Sequence, residues 1–194
     1  MHGRGGQGVV TLAELTALAA FANGHQAQAI PSFGSERMGA PVMAFCRIAD
    51  RPIRSRQPVT KPDLVVVCDP TLLHSVAVFD GLKPDGWVLL NSTHPPAELG
   101  ITELAGRIPA GQLITLPATA LARRLTGNPR SNAAMLGALA AVTGLFGPDA
   151  LAAALRRRFA EPLATRQLEL ARAAYDRLRP AVESGVDVPV AGRA

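Results

Sequence analysis

The chain has 194 residues, 48% hydrophobic and 18% charged, which suits one globular domain with a sizeable core. No apolar run is long enough for a bilayer span, and the N-terminus lacks the basic-then-apolar order of a secretory signal. A soluble cytoplasmic protein with no membrane partner is therefore expected. The net charge of +5 is carried mostly by arginine, with Lys61 and Lys83 the only lysines; aromatics are just 4% and no DNA-binding motif is visible, so nucleic acid is not an expected partner.

Glycines open the chain. Gly3, Gly5 and Gly8 form a G-x-G-x-x-G with Gly6 and Gln7 inside it, and only Met1 and His2 precede it. The stretch from Val9 to Asn23 repeats apolar residues at helical spacing and ends at Asn23-Gly24. A short strand follows up to Ile30-Pro31, then a loop punctuated by glycine and proline through Pro41. The run from Val42 to Ile53 reads as two extended pieces around Asp50-Arg51, a candidate hairpin.

The unbroken apolar run Leu64 to Cys68 predicts a strand buried on both faces. A helix over about 71–79 is expected next, then a turn at Lys83-Pro84-Asp85-Gly86 and two more buried strands, at Trp87–Asn91 and Gln112–Pro117. A short helix at 118–125 leads into three helical stretches, beginning near Ser131, Pro148 and Leu163. Strands alternating with helices imply an α/β fold: three-layer α/β/α, Rossmann-like, with a mostly parallel sheet and a helical C-terminal part. One domain over residues 1–180 and an irregular tail over 181–194 are expected.

Cys46 and Cys68 are isolated in apolar runs, and the four histidines are scattered, so buried thiols are expected and no metal or iron–sulfur ligand set. For an NAD site the glycine loop needs a strand before it and an acidic residue ending the second strand. The sequence offers neither, since the first acid after Pro31 is Glu36, within a loop. Glycines at a helix N-terminus still expose N–H groups toward an anion, or else simply allow close packing.

Read in order, "GRGGQG" opening a helix, "IPSFGSERMGAPV", "DLVVVCDPTLL", "VLLNST" and "LPATALARRLTGNPRSNAAMLGALAAVTG" resemble the gamma subunit of 2-oxoacid:acceptor oxidoreductases, typified by pyruvate:ferredoxin oxidoreductase. The resemblance spans Gly3 to Phe159. It implies oxidative decarboxylation of a 2-oxoacid with coenzyme A to acyl-CoA and carbon dioxide, electrons passing to ferredoxin or another acceptor. It also implies thiamine diphosphate with Mg2+ and 4Fe–4S clusters held by alpha, beta and ferredoxin-like delta subunits, with a flavin or NAD subunit as another possible electron acceptor. This chain alone would hold no cofactor and be inactive. The wording of the two loops leans toward a pyruvate, branched-chain or aryl-glyoxylate type over 2-oxoglutarate or indolepyruvate.

Two departures stand out. Family members usually have a strand before the glycine loop, so either the start lies too far downstream here or a partner completes the sheet. Met38 also stands between Arg37 and Gly39, although Gly39-Ala40-Pro41 still forces a turn.

Candidate cofactor-side residues are Gly3, Gly5, Gly6, Gln7 and Gly8; Ser35, Glu36 and Arg37; Asn91 and Ser92; and Asn132. Each has a plainer reading: close packing for the glycines, a solvated ion pair for Glu36 and Arg37, a turn or N-cap for Asn91 and Ser92, and a helix cap for Ser131 or Asn132. Arg47, Arg51, Arg54 and Arg56 form the densest basic stretch, suited to coenzyme A phosphates or, more simply, to a subunit contact. His74 is expected on a helix surface and His94 in a loop. No nucleophile–base–orienter set is visible, as befits a subunit whose chemistry belongs to a cofactor held elsewhere. Two rival readings are a free-standing Rossmann-type NAD oxidoreductase and a binding module that has lost its complex.

Overall fold

The computed structural model describes residues 1–31 and 38–184. Six strands form one sheet in the order β2-β3-β1-β4-β5-β6. They are β1 (His2–Arg4), β2 (Gln26–Pro31), β3 (Pro41–Ala49), β4 (Leu64–Val67), β5 (Trp87–Asn91) and β6 (Leu113–Leu116). Strands β1, β4, β5 and β6 are mutually parallel, whereas β3 runs against both β1 and β2. The mostly parallel α/β reading therefore holds.

Side-chain alternation divides the core between the two faces of the sheet. Val66, Leu89, Ile114 and Leu116 point toward a thick helical layer: α1 (Val9–Ala22), α3 (Ala118–Thr126), α4 (Asn132–Thr143), α5 (Pro148–Arg158) and α6 (Leu163–Ser184). Val65, Val67, Val88 and Leu90 point the other way, onto Leu72, Val78, Ile101 and Ile108. That second layer is thin, built from 3₁₀ turns at Pro70–His74 and Pro96–Glu98 and the one-turn α2 (Thr102–Ala105).

Helix α4 is buried almost all round, Asn132 through Val142, because it lies between the sheet and α6. Gly137 makes this possible: a Cβ there would lie 1.9 Å from the Ala171 carbonyl oxygen of α6. The obstacle is backbone, which cannot swing aside.

Four expectations need correction. A strand does precede the glycine loop: β1 is three residues long and includes Gly3 itself. Strand β3 does not fold back on residues after Asp50 but pairs with β2 and β1; Pro52, Pro58 and Pro62 leave the following segment short of ladder donors. The expected helix over 71–79 is a 3₁₀ turn ending at His74, since the β-branched and aromatic Val76, Val78 and Phe79 resist helix and bury instead. Residues 181–184 belong to α6, not to an irregular tail. That helix runs on past Pro180 with Val182 packed against the core and Arg179 Nε donating to Glu183 Oε1 at 2.6 Å. The rest of the expected tail, 185–194, lies outside the described residues.

Replacing Gly137 by Ala should force α4 and α6 apart and cost about 1–3 kcal/mol, as overpacking does. Thermal unfolding of G137A against the parent measures it, with a fall in Tm of roughly 2–4 °C per kcal/mol expected.

Candidate functional site

Open α/β sheets place ligands beyond the carboxyl ends of their strands. Here the ends of β1, β4 and β5 carry a continuous row of polar contacts. Gln7, in the glycine loop, accepts from Arg4 N through Oε1 at 2.8 Å and donates through Nε2 to Asp69 Oδ2 at 2.6 Å. Arg4 Nε lies 3.4 Å from the same carboxylate oxygen, and Arg4 also donates to Thr71 Oγ1 and to the Gly39 carbonyl. The other Asp69 oxygen accepts from Thr71 N and Oγ1, which starts the 3₁₀ turn.

The row continues into β5. Asn91 Nδ2 donates to the Cys68 carbonyl and to Thr119 Oγ1, both at 2.8 Å, while its Oδ1 accepts from Thr119 N at 3.1 Å. Asn91 therefore caps α3 from a neighbouring strand, satisfying one of its free first-turn N–H groups. Ser92 Oγ accepts from His94 N at 2.9 Å, closing a local turn.

The glycine loop is seated by backbone as well. Gly5 N donates to the Ala40 carbonyl at 2.9 Å, and Gly39 N donates back to the Gly5 carbonyl at 3.2 Å. Gly8 sits at the N-cap of α1 with φ of 81°, a left-handed conformation that favours glycine, and a Cβ there would come within 3.0 Å of Asn132 Nδ2. Asn132 Oδ1 accepts from Ala133 N, and neither it nor Ser131 caps α4 in the expected way, because Ser131 has turned into helical geometry at φ of −90°. Met38 is 87% exposed beside Gly6.

The structure thus brings Gly3, Gly5, Gly6, Gln7 and Gly8 together with Asn132, and links them through Asp69 and Cys68 to Asn91. Ser35, Glu36 and Arg37 lie outside the described residues. Arg54 and Arg56 are exposed, in a segment without regular structure, while Arg47 donates to the Ser55 and Gln57 carbonyls. His74 packs against Gly100, and His94 pairs with Glu98 at 3.0 Å. Arg4, Asp69, Thr71 and Thr119 are the polar residues that sequence reasoning missed. Asp69 did carry a signal, as the first polar residue after a buried strand.

Burial alone would raise the Asp69 carboxyl, but hydrogen bonds from Thr71 and Gln7 and the Arg4 charge outweigh it and hold it below 3.8. Burial pushes both thiols, Cys46 and Cys68, up to about 12, so neither is an activated nucleophile. Among the described residues no group of three His, Cys, Asp or Glu side chains could hold a metal ion. A dinucleotide crevice is not built either. The strand reached through α1 is β2, and antiparallel β3 separates it from β1, while the acid beside the loop, Asp69 after parallel β4, is already bonded to Gln7, Arg4 and Thr71.

Fold and loop define an α/β domain with a rigid glycine turn at the carboxyl edge of its sheet. The chain belongs to the pyruvate ferredoxin/flavodoxin oxidoreductase family, which it matches over residues 1–177. It is 47% identical over 178 residues to the pyruvate synthase subunit PorC of Methanothermobacter marburgensis, spanning 92% of this chain and 95% of that one. It is 43% identical over 176 residues to the pyruvate/ketoisovalerate oxidoreductases common subunit gamma of Pyrococcus furiosus, spanning 91% and 94%. Among solved structures it resembles pyruvate oxidoreductase subunit PORC of Thermotoga maritima, with a TM-score of 0.75 and 32% identity over 90% of this chain and 92% of that one.

Because folding lowers the Asp69 pKa, its carboxylate stabilises the fold fully above its unfolded value, near 3.8, and that contribution is lost as pH falls through the lower folded value. Urea unfolding at neutral and acidic pH should therefore show Asp69→Asn less stable than the parent at neutral pH, with the difference shrinking below pH 3.8. Replacing Asn91 by Ala leaves Thr119 N–H and the Cys68 carbonyl unpaired and should cost about 1–3 kcal/mol by the same measurement at pH 7.

Proposed function

We propose that this chain is the gamma subunit of a 2-oxoacid:acceptor oxidoreductase complex, a binding and shaping subunit whose reaction takes place on cofactors held by its partners. The observation that carries the reading is the likeness, over more than nine-tenths of each chain, to subunits named for pyruvate synthase and for pyruvate/ketoisovalerate oxidoreductases. The site supports it. The polar groups of Gln7, Asp69, Arg4 and Thr71 bond to one another, and Asn91 bonds to the Cys68 carbonyl and to Thr119, so they form a tied edge rather than an acid–base pair aimed at a substrate. The two raised thiols, Cys46 and Cys68, are poor ligands for an iron–sulfur cluster.

In this reading thiamine diphosphate with Mg2+ and the 4Fe–4S clusters reside in alpha, beta and ferredoxin-like subunits and supply decarboxylation and electron transfer. The gamma chain lends its glycine edge, Gly3 to Gly8 with Asn132, and the Ser35-Glu36-Arg37 stretch to the coenzyme A side of the cleft. Substrates of the pyruvate, branched-chain or aryl-glyoxylate type fit it. Ferredoxin, or a flavin or NAD subunit, takes the electrons.

A tagged chain recovered from its own host should bring down thiamine-binding and iron–sulfur subunits, and the eluate should oxidise one 2-oxoacid only when coenzyme A is present. The chain alone should be inactive. Elution as a lone protein that binds NAD would overturn the reading. Within the active complex, Arg37→Ala should raise KM for coenzyme A roughly tenfold, the loss of one charge-assisted bond, and leave KM for the oxoacid unchanged.

A further inference from the structure

Two helices start at the glycine edge, and neither start is closed by a side-chain cap. Helix α1 has Gly8 at its N-cap and no side-chain acceptor for its first N–H groups. Helix α4 follows Ser131, which likewise supplies no cap; the one local bond is Asn132 Oδ1 accepting from Ala133 N at 3.0 Å. A helix leaves its first-turn N–H groups without intrahelical partners, and exposed helix ends hand them to water. Most of the residues at these two ends are buried instead, Val9 in α1 and Asn132, Ala133 and Ala134 in α4.

The two starts meet. Gly8 lies so close to Asn132 that a Cβ on Gly8 would come within 3.0 Å of Asn132 Nδ2. Asn132 is only 8% exposed, and while its Oδ1 is used by Ala133 N, its Nδ2 makes no hydrogen bond among the described residues. Nor is that nitrogen sealed in, because the enclosed side-chain atoms without a partner are Gln28 Oε1 and Gln112 Oε1. The Asn132 amide therefore faces a space that a small ligand can reach.

The electrostatics point the same way. Each helix start carries partial positive charge, and two brought together repel unless something negative lies between them. Neither α1 nor α4 has an acidic residue in its first turn. Asp69, the carboxylate of the neighbouring polar row, is committed to Gln7, Arg4 and Thr71. Gly6 and Gly8, at φ of 92° and 81°, are left-handed, and such turns let neighbouring N–H groups converge on an anion.

We propose that the starts of α1 and α4 form one oxyanion site, in which the Asn132 amide and the N–H groups after Gly8 bind a phosphate group. The donors are all uncharged, so they recognise phosphate oxygens by hydrogen bonds while the helix ends supply the field. Free phosphate and a phosphate ester share this chemistry. That the ester belongs to coenzyme A rests on the function proposed above; the oxyanion site itself does not.

The test follows thermal unfolding of the full chain as inorganic phosphate or coenzyme A replaces chloride at constant ionic strength. Tm should rise along a saturating curve, as binding to the folded state alone requires. Asn132→Asp separates a binding role from a structural one. It keeps the acceptor for Ala133 N and brings a carboxylate to the two helix starts, so without phosphate it should be at least as stable as the parent. Its phosphate affinity should nevertheless fall roughly tenfold or more, and Asn132→Ala should weaken binding in the same direction.

A purely structural Asn132 would instead lose stability in both variants and leave the phosphate response of each unchanged. That result, or a parent stabilised equally by chloride and phosphate, would overturn the proposal. A response to phosphate but not to coenzyme A keeps the oxyanion site and counts against the coenzyme A side assigned to this edge.

Discussion

Three residues hold the two halves of this sheet together. His2, Gly3 and Arg4 form the strand that joins the antiparallel pair β2-β3 to the parallel set β4-β5-β6, and Met1 adds two backbone bonds to Ala44 of β3. So short a strand supplies few ladder bonds, and side chains reinforce it. Arg4 reaches both the Gly39 carbonyl that leads into β3 and the Asp69–Thr71 pair that follows β4. Gln7 ties the next turn of chain to the same carboxylate. Asp69 is thus the point at which the seam is fastened, and its lowered pKa is the electrostatic trace of that work.

The same constraint explains the glycines. Each half of the sheet must meet the other across a strand that ends at once in a helix, so the chain turns from β1 into α1 within the few residues Gly5 to Gly8. Gly8 adopts a left-handed conformation under Asn132, and Gly5 exchanges backbone bonds with the Gly39-Ala40 turn. A G-x-G-x-x-G in this position looks like a dinucleotide signature, but the topology around it differs. In a dinucleotide fold the next parallel strand lies alongside, whereas here antiparallel β3 takes that place.

What could be read from the residues was whatever depends on local pattern. The runs Leu64–Val67 and Trp87–Asn91 are continuous and apolar because both faces are covered, and that signature survives in sequence. Helices α1, α4 and α5 announce themselves by spacing, with Asn23-Gly24 ending α1 and Pro148 opening α5. Strand β1 did not, because three residues with a glycine in the middle give no period to detect. The functional edge was half legible. Gly8 and Asn132 were both singled out, but their contact spans the whole domain. The Gln7–Asp69 bond joins residues 62 apart, which no spacing rule relates. The 3₁₀ turn after β4 was misread as helix because its apolar residues serve the thin second layer, a tertiary demand that overrides local propensity.

The two layers differ in a way that bears on assembly. One face is buried under a tight helical stack in which α4 has scarcely an exposed side chain, and Gly137 lets α6 press against it. The other face is covered by 3₁₀ turns and a one-turn helix. A subunit that must present a fixed edge to neighbours gains from this asymmetry: the helical stack makes the strand ends rigid. The loops beyond those ends, with exposed Met38 at the margin of the glycine turn, stay accessible to a partner. Under the proposed function, a domain whose edge groups are spent on one another and on holding a seam closed would position another subunit's reactants rather than transform them itself.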